Sequence, residues 1–180
     1  MIRGEMAENP NPHARRKHYF LMALAVVLAD QLTKWLVSSR LALHESVNVI
    51  PGLFRLTHVQ NQGAAFGILS DSPSEWKLGM LIFFSLFALV VVSTLLWRNS
   101  HSISSTGIAL SLILGGAVGN LWDRMVAGHV TDFFDVYFRG YHWPAFNIAD
   151  SAIVVGALLL MAEILFGKLD AKQSAAEGQF

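Results

Sequence analysis

The sequence predicts an all-α membrane protein with four transmembrane helices and a small extracytoplasmic β-sheet. Two observations predict this fold class. Apolar residues make up 53% of the 180 residues and charged residues only 14%, so the chain is more apolar than a typical soluble protein. Four apolar stretches also reach the roughly 20 residues that a helix needs to cross a bilayer. They lie near residues 18–38, 76–97, 104–123 and 148–167.

The first stretch has an alternative interpretation as a signal peptide. Arg15, Arg16 and Lys17 precede its apolar run, as they would in a signal peptide. However, Asp30 and Lys34 interrupt the end of the run, and no small-residue cleavage site follows. We therefore interpret this stretch as the first transmembrane helix.

Basic residues predict how the helices are oriented. They lie before the first helix, between the second and third helices, and after the fourth. In a bundle of four membrane-spanning helices, these three positions are on the same side of the membrane. That side is expected to be cytoplasmic. The integral membrane domain, 18–167, then lies between two cytoplasmic tails, 1–17 and 168–180, of which residues 1–14 and 170–180 are expected to be disordered.

Two outer segments are too long to be simple loops. In the first, 39–75, polar residues mix with β-branched and aromatic ones over 53–59, and a turn at Asn61-Gln62-Gly63 precedes apolar residues 64–69. This pattern predicts a small sheet that rests on the membrane surface. The second, Val130 to Phe146, carries aromatic residues among polar ones and is expected to lie along the membrane interface.

Composition excludes several kinds of chemistry. The absence of cysteine excludes disulfides, thiolate catalysis and cysteine-bound zinc, and the seven histidines do not form an H-E-x-x-H motif. The formal net charge is zero, unlike that of a typical nucleic-acid-binding domain. We therefore expect no metal, no cofactor and no nucleic acid, and we look for partners in the membrane.

Ionisable and amide side chains gather at the predicted outer ends of the helices. Such residues are costly in hydrocarbon, so they usually pair with each other or take part in chemistry. Asp30 and Lys34 have the i, i+4 spacing of an ion pair on one helix face. Asn120, Asp123 and Arg124 share a face of the third helix and are interpreted mainly as supporting residues that tie it to the outer segment.

Asp132 and Asp150 flank the second outer segment, which can bring their carboxyl groups together. Two neighbouring carboxyls share one proton near neutral pH, and such a pair can hydrolyse a peptide bond by general acid–base catalysis. An alternative is that Asn147 caps the fourth helix and Asp150 supports the cap. Spacing does not decide between these interpretations, nor between Asp132 and Asp135, although Asp135 is more typical of a solvated interfacial residue.

Small residues predict which helices touch. Gly115 and Gly119 in the third helix, and Ala152 and Gly156 in the fourth, have the spacing that lets two helices approach closely. Contact between these helices would bring Asp150 near the end of the third helix.

Two other classes of protein compete with a hydrolase. A transporter or proton relay also uses intramembrane acids paired with lysine, but its ionisable residues should be spaced through the bilayer, whereas here they gather at one face. A structural membrane protein would use the same residues only as caps and ion pairs. In that case Asp132→Asn would change stability, and there would be no hydrolysis to lose.

Five sequence blocks carry a more specific signal. They are Asp30-Gln-Leu-Thr-Lys34, Asn61-Gln-Gly-Ala-Ala-Phe66, Gly119-Asn-Leu-Trp-Asp-Arg124, Val130-Thr-Asp-Phe133 and Phe146-Asn-Ile-Ala-Asp150. In this order, on four apolar helices, they resemble the lipoprotein signal peptidase family, also called signal peptidase II. The resemblance covers about residues 18 to 167.

The resemblance implies an aspartic endopeptidase whose catalytic residues are Asp132 and Asp150, which selects Asp132 over Asp135. Members of the family cleave bacterial prolipoproteins before a diacylglyceryl-modified cysteine, and that cysteine belongs to the substrate. Other positions are implied to shape the site or to hold substrate. They are Asp30, Lys34, Asn61, Gly63, Asn120, Arg124 and Asn147.

The resemblance also implies a location and a set of partners. The enzyme would lie in the bacterial inner membrane, with both termini cytoplasmic and the active site near the extracytoplasmic face. Its partners would be prolipoproteins and membrane lipid, and we expect a monomer. The first outer segment would form a cradle over the substrate, and Val130 to Phe146 would open and close as a lid.

Overall fold

The structure, a computed structural model, describes residues 12–63, 74–99 and 104–177. Within these residues the chain forms four α-helices and four β-strands. In chain order they are α1 (Pro12–Arg40), β1 (Ser46–Ile50), β2 (Phe54–Asn61), α2 (Ser74–Asn99), α3 (Ser105–Ala127), β3 (Val130–Phe138), β4 (Tyr141–His142) and α4 (Ile148–Glu177).

All four described helices are long and apolar enough to cross a bilayer. Large apolar side chains on them are exposed, among them Phe83 at 64% and Val90 at 66% in α2, and such a surface is suited to lipid rather than water. The four predicted helices are therefore confirmed, and the protein is a multi-pass membrane protein. The apolar spans are Arg16–Arg40, Trp76–Asn99, Ser105–Ala127 and Ile148–Phe166.

Helices α1 and α4 extend beyond the predicted spans. Helix α1 begins at Pro12, a residue well suited to the first turn, and α4 continues to Glu177. The prediction of disorder was therefore wrong for residues 12–14 and 170–177. Hydropathy marks only the lipid-crossing part of a helix, whereas the Ala, Lys, Gln and Glu residues that extend α4 have high helix propensity. The other tail residues lie outside the described ranges.

Helix α3 lies at the centre of the bundle and packs against the other three helices. Glycines allow this close approach. A Cβ atom on Gly115 would lie 2.6 Å from the carbonyl oxygen of Ala23 in α1, and one on Gly156 of α4 would lie 2.6 Å from that of Ala109 in α3. Neither position tolerates a side chain without movement of the backbone. The predicted contact between the third and fourth helices is thus confirmed.

The strands form one antiparallel sheet in the order β1-β2-β3-β4. Strands β1 and β2 confirm the small sheet predicted in the first outer segment. Gly128, with a φ of 75°, ends α3 in the left-handed conformation and directs the chain into β3. Arg139 and Gly140, both with positive φ, form the tight turn from β3 to β4.

Strand β3 was not predicted. The segment Val130 to Phe146 was expected along the interface, but its first nine residues form β3, which lies between β2 and β4 in the sheet. Two features hide this strand in the sequence. First, the acidic residues of the strand are buried and Phe133 is buried beside one of them, so polar and apolar residues do not alternate as they do in a half-buried strand. Second, the register with β2 shifts at a bulge between Leu56 and Val59.

Candidate active site

Asp132 is positioned by strand β3. It pairs with Val59 of β2, and two positions further along the ladder Val130 pairs with Asn61. The Asn61 side chain therefore reaches Asp132, and its Nδ2 donates to Asp132 Oδ2 at 3.0 Å. Only 2% of Asp132 is exposed, so its carboxyl group depends on protein donors rather than on bulk water.

Asp150 lies in the first turn of α4. Its backbone N–H donates to Asn147 Oδ1 at 2.9 Å, and its Oδ2 accepts from the backbone N–H of Asn147 at 3.2 Å. This reciprocal pair confirms that Asn147 and Asp150 cap the helix. The cap uses only Oδ2 of the Asp150 carboxyl group. The other oxygen, Oδ1, accepts from Asn120 Nδ2 at 2.7 Å. Asp150 is therefore both a capping residue and part of a wider polar cluster.

Phe146 fixes the start of α4 against β3. Its carbonyl oxygen accepts from the backbone N–H groups of Phe133 at 3.0 Å and Phe134 at 2.8 Å, and its own N–H donates to the Phe134 carbonyl at 3.1 Å. These bonds place the next residue, Asn147, beside Asp132. Asn147 Nδ2 donates to Asp132 Oδ1 at 2.7 Å, so one asparagine contacts both candidate catalytic residues.

Three asparagines surround the two aspartates in the same way. Asn61, Asn120 and Asn147 each donate an amide N–H to one of the two carboxyl groups. The oxygen of each amide faces a hydrogen-bond donor. For Asn61 that donor is the backbone N–H of Gly63, at 2.8 Å, which is the contribution of Gly63 to the cluster. The apolar residues 64–69 that follow lie outside the described residues.

Lys34 and Asp30 together join three helices behind this cluster. Lys34 Nζ donates to Asp30 Oδ2 at 2.7 Å and to Asn120 Oδ1 at 3.0 Å, and it lies 2.8 Å from Asp123 Oδ2. Asp30 Oδ1 accepts from the backbone N–H of Ala149 in α4 at 2.9 Å. The predicted ion pair between Asp30 and Lys34 is confirmed, and both residues are buried.

Asp123 connects the end of α3 to its neighbours. Its Oδ2 accepts from the backbone N–H of Thr131 in β3 at 3.4 Å, which confirms the predicted tie to the outer segment. Its Oδ1 accepts from Gln31 Nε2 at 2.8 Å. Gln31 was missed by the sequence analysis, although it lies inside the Asp30 to Lys34 block.

The two aspartates open onto a cavity of about 560 Å³. Arg124 also lines it, and its Nη1 donates to the Asn120 carbonyl at 3.3 Å. The buried Nε of Arg124 has no hydrogen-bond partner among the described residues. Six of the lining residues are polar: Asn61, Asn120, Arg124, Asp132, Asp150 and Ser151. The other eight are apolar, and we call this set the apolar wall: Val130, Trp143, Pro144, Ala145, Phe146, Ile153, Val154 and Val155.

The environment of Asp132 favours its protonated form. Burial, and next the neighbouring charge of Asp150, raise the pKa of Asp132 to about 7. The hydrogen bonds from Asn61 and Asn147 and the positive charge of Lys34 act in the opposite direction but do not cancel the effect of burial. Asp132 therefore titrates near neutral pH.

Asp135 is not a solvated residue, contrary to our expectation. Only 5% of it is exposed. Its Oδ2 accepts from Arg55 Nε at 2.6 Å, and its Oδ1 lies 2.9 Å from His142 Nδ1. Arg55 lies directly opposite Asp135 in the β2–β3 register, which explains the pairing. Asp135 does not line the cavity that Asp132 and Asp150 share.

The structure brings all nine predicted site residues into one connected cluster. It adds the apolar wall, which was not predicted from the sequence. Helical spacing offered a signal for part of that wall, because Val154 lies one turn after Asp150 on the same face of α4. The wall residues 143–146 carried no such signal, because their position depends on the hydrogen bonds of Phe146 to β3.

Comparison with known proteins identifies the family. Residues 22–166 match the family model of signal peptidase (SPase) II. The chain belongs to the signal peptidase II family. A protein named lipoprotein signal peptidase from Solibacter usitatus (strain Ellin6076) is 46% identical over 160 residues, which cover 89% of this chain and 97% of the relative. Another of that name from Francisella tularensis subsp. novicida (strain U112) is 41% identical over 150 residues, covering 83% and 92%.

Solved structures of bacterial membrane enzymes share the fold of this signal peptidase II family member. One superposes with a TM-score of 0.76 at 32% identity and covers 84% of this chain and 90% of its own. A second has a TM-score of 0.72 at 33% identity and covers 83% and 93%. The resemblance noted in the sequence is thus confirmed, and membership of a signal peptidase family makes the protein a peptidase.

Proposed function

We propose that this peptidase removes signal peptides from bacterial prolipoproteins by cleaving before a diacylglyceryl-modified cysteine, with Asp132 and Asp150 as its catalytic pair. One observation carries the proposal. Two carboxyl groups from separate elements, β3 and α4, open onto one cavity and are bridged by Asn147. The relatives named lipoprotein signal peptidase support the same substrate class.

The mechanism follows from a single proton held by the pair. Because the pKa of Asp132 is about 7 and Asp150 lies beside it, the two carboxyl groups can share one proton at neutral pH. The ionised carboxylate takes a proton from water as the water attacks the scissile carbonyl, and the protonated partner donates a hydrogen bond to the carbonyl oxygen. The tetrahedral intermediate then collapses as the amine leaves with a proton from the pair. No covalent enzyme intermediate forms.

Arg124 has a separate role in this proposal. Arg124 lines the cavity, and a guanidinium group can only donate hydrogen bonds. A peptide carbonyl of the bound substrate would accept one of them. We therefore assign Arg124 to substrate binding next to the scissile bond.

The apolar wall suits a substrate that is half in lipid. Val154 and Val155 line the cavity and are also about half exposed on the outer surface of α4, where lipid would contact them. The apolar part of the signal peptide and the acyl chains can therefore reach the cavity sideways from the bilayer. The sheet β1–β4 would form the cradle above it. We restrict the predicted lid to residues 144–145, because Val130–Phe138 is held in the sheet and the backbones of Trp143 and Phe146 are hydrogen-bonded to β3.

The proposal includes a location. With the basic flanks in the cytoplasm, both termini are cytoplasmic, and the aspartates lie near the extracytoplasmic face of the bacterial inner membrane. Water is available there to a bond that emerges from lipid. We propose a monomer, because the cluster of catalytic and supporting residues comes from a single chain.

The test uses a matched pair of substrates and the wild-type enzyme in detergent. One prolipoprotein carries the diacylglyceryl group on its cysteine, and the other has the same sequence with an unmodified cysteine. We expect cleavage of the modified substrate only, with mass spectrometry showing the lipid-bearing cysteine at the new N-terminus. Equal cleavage of both substrates, cleavage at another bond, or no cleavage would contradict the proposal.

A further inference from the structure

The amide of Asn120 makes two chemically opposite contacts. Its Oδ1 lies 3.0 Å from Lys34 Nζ, and its Nδ2 donates to Asp150 Oδ1 at 2.7 Å. An ammonium group has donors and no acceptor, so the amide atom that faces Lys34 must be the oxygen. In the flipped amide, the NH2 group would face the ammonium and the oxygen would face the carboxyl group. Both of those contacts would be repulsive.

The other two asparagines at the site are oriented by the backbone. Gly63 N–H donates to Asn61 Oδ1 at 2.8 Å, and Asp150 N–H donates to Asn147 Oδ1 at 2.9 Å. Each bond turns the NH2 group of the amide toward Asp132. For Asn120, the closest donor to the amide oxygen is the Lys34 side chain, since Asn147 Nδ2 lies further away at 3.3 Å.

The position of the Lys34 ammonium is itself fixed. Asp30 Oδ2 and Asp123 Oδ2 lie 2.7 Å and 2.8 Å from it, and only 4% of Lys34 is exposed. Asp30 is held in turn by the backbone N–H of Ala149 at 2.9 Å. The ammonium therefore cannot swing away from Asn120 without breaking two buried ion pairs.

We propose that Lys34 is a positioning residue for the reaction, because it turns the Asn120 amide so that its NH2 group stabilises the charged form of Asp150. This inference rests on the proposed aspartic mechanism. A hydrogen bond to the charged form of an acid favours ionisation, so loss of this donor disfavours the ionised pair. The consequence is a change in the pH dependence of turnover, which a purely structural ion pair would not produce.

The test compares pH profiles of turnover on the diacylglyceryl-modified prolipoprotein. In Asp30→Asn/Lys34→Met, a positive and a negative charge are removed together, so the net charge near the catalytic pair is unchanged. We expect the acidic limb of the profile to move to higher pH by about one unit or more. The control, Asp30→Asn alone, keeps Lys34 on Asn120, and its limb should stay in place or move to lower pH.

A variant that lacks the Asn120 amide tests whether Lys34 acts through Asn120. Asn120→Ala removes the donor directly and should move the acidic limb in the same direction. Adding Asp30→Asn/Lys34→Met to Asn120→Ala should then produce no further shift. A further shift as large as the one seen with Asn120 present would overturn the inference. It would show that Lys34 acts on the two aspartates directly through its charge and not through Asn120.

The remaining outcomes are also decisive. A folded, active Asp30→Asn/Lys34→Met variant with the wild-type acidic limb would overturn the inference. If that variant does not fold, Asp30→Asn/Lys34→Leu takes its place, since leucine is also apolar and cannot donate to the Asn120 oxygen. The same shift is expected, and an unchanged limb refutes it. Retained turnover in Asp132→Asn and Asp150→Asn would instead refute the proposed mechanism itself.

Discussion

Asn147 Nδ2 lies 2.7 Å from Asp132 Oδ1, and this contact joins the first turn of α4 to strand β3. The same side chain accepts a hydrogen bond of 2.9 Å from the backbone N–H of Asp150. A helix cap and a catalytic contact are therefore made by one residue. The two interpretations of the Asn147 to Asp150 spacing are compatible, because the cap holds the cluster in place.

The two roles of Asn147 can be separated by Asn147→Ser. Serine is about as good a helix cap as asparagine, but it is too short to donate to Asp132. We expect turnover to fall by about tenfold, the effect of losing a hydrogen bond that contributes about 1.5 kcal/mol, with little change in melting temperature. Turnover and thermal melting in detergent measure the two effects. Wild-type turnover in a folded variant would show that this contact is not needed.

The raised pKa of Asp132, about 7, predicts a pH dependence of stability. An aspartate in the unfolded chain has a pKa of about 3.9, so between these values the folded protein binds the proton more tightly. Stability should therefore fall as the pH rises from about 4 to about 7. Asp132→Asn lacks this titration, so its melting temperature relative to wild type should rise across that range and then level off. A difference that stays constant with pH would contradict the assignment.

Helix packing gives a prediction with an internal control. A Cβ on Gly116 of α3 would lie 2.8 Å from Ile153 Cγ1 and even closer to the carbonyl oxygen of Ala149, whereas one on Gly79 of α2 would have no neighbour within 4 Å. Gly116→Ala should destabilise the protein by about 1–3 kcal/mol through overpacking. Gly79→Ala should be neutral or stabilising. Equal melting temperatures for the two variants would refute the close packing of α3 and α4.

Much of this fold could be predicted because its signals are local. Apolar length predicted the four helices, and the small residues Gly156 and Ala152 predicted the contact between α4 and α3. The Asp30 and Lys34 ion pair followed from helical spacing alone. In each case, the residues that determine the feature lie within a few turns of one another.

The features that were missed depend on contacts between distant segments. Strand β3 is defined by pairing with β2, and a bulge shifts its register. Asp135 is buried because Arg55, opposite it in that register, pairs with its carboxylate. The orientation of the Asn120 amide depends on Lys34 of another helix. No local pattern in the sequence encodes such contacts.

The central claim is that Asp132 and Asp150 together perform the hydrolysis. The most direct test measures turnover of the diacylglyceryl-modified prolipoprotein by Asp132→Asn, Asp150→Asn and the control Asp135→Asn, with thermal melting to show that each is folded. Our account predicts that the first two variants lose about 10³-fold in turnover, as expected for removal of a general acid or base, while Asp135→Asn changes it by less than about tenfold. Retained turnover in a folded Asp132→Asn or Asp150→Asn variant would contradict it.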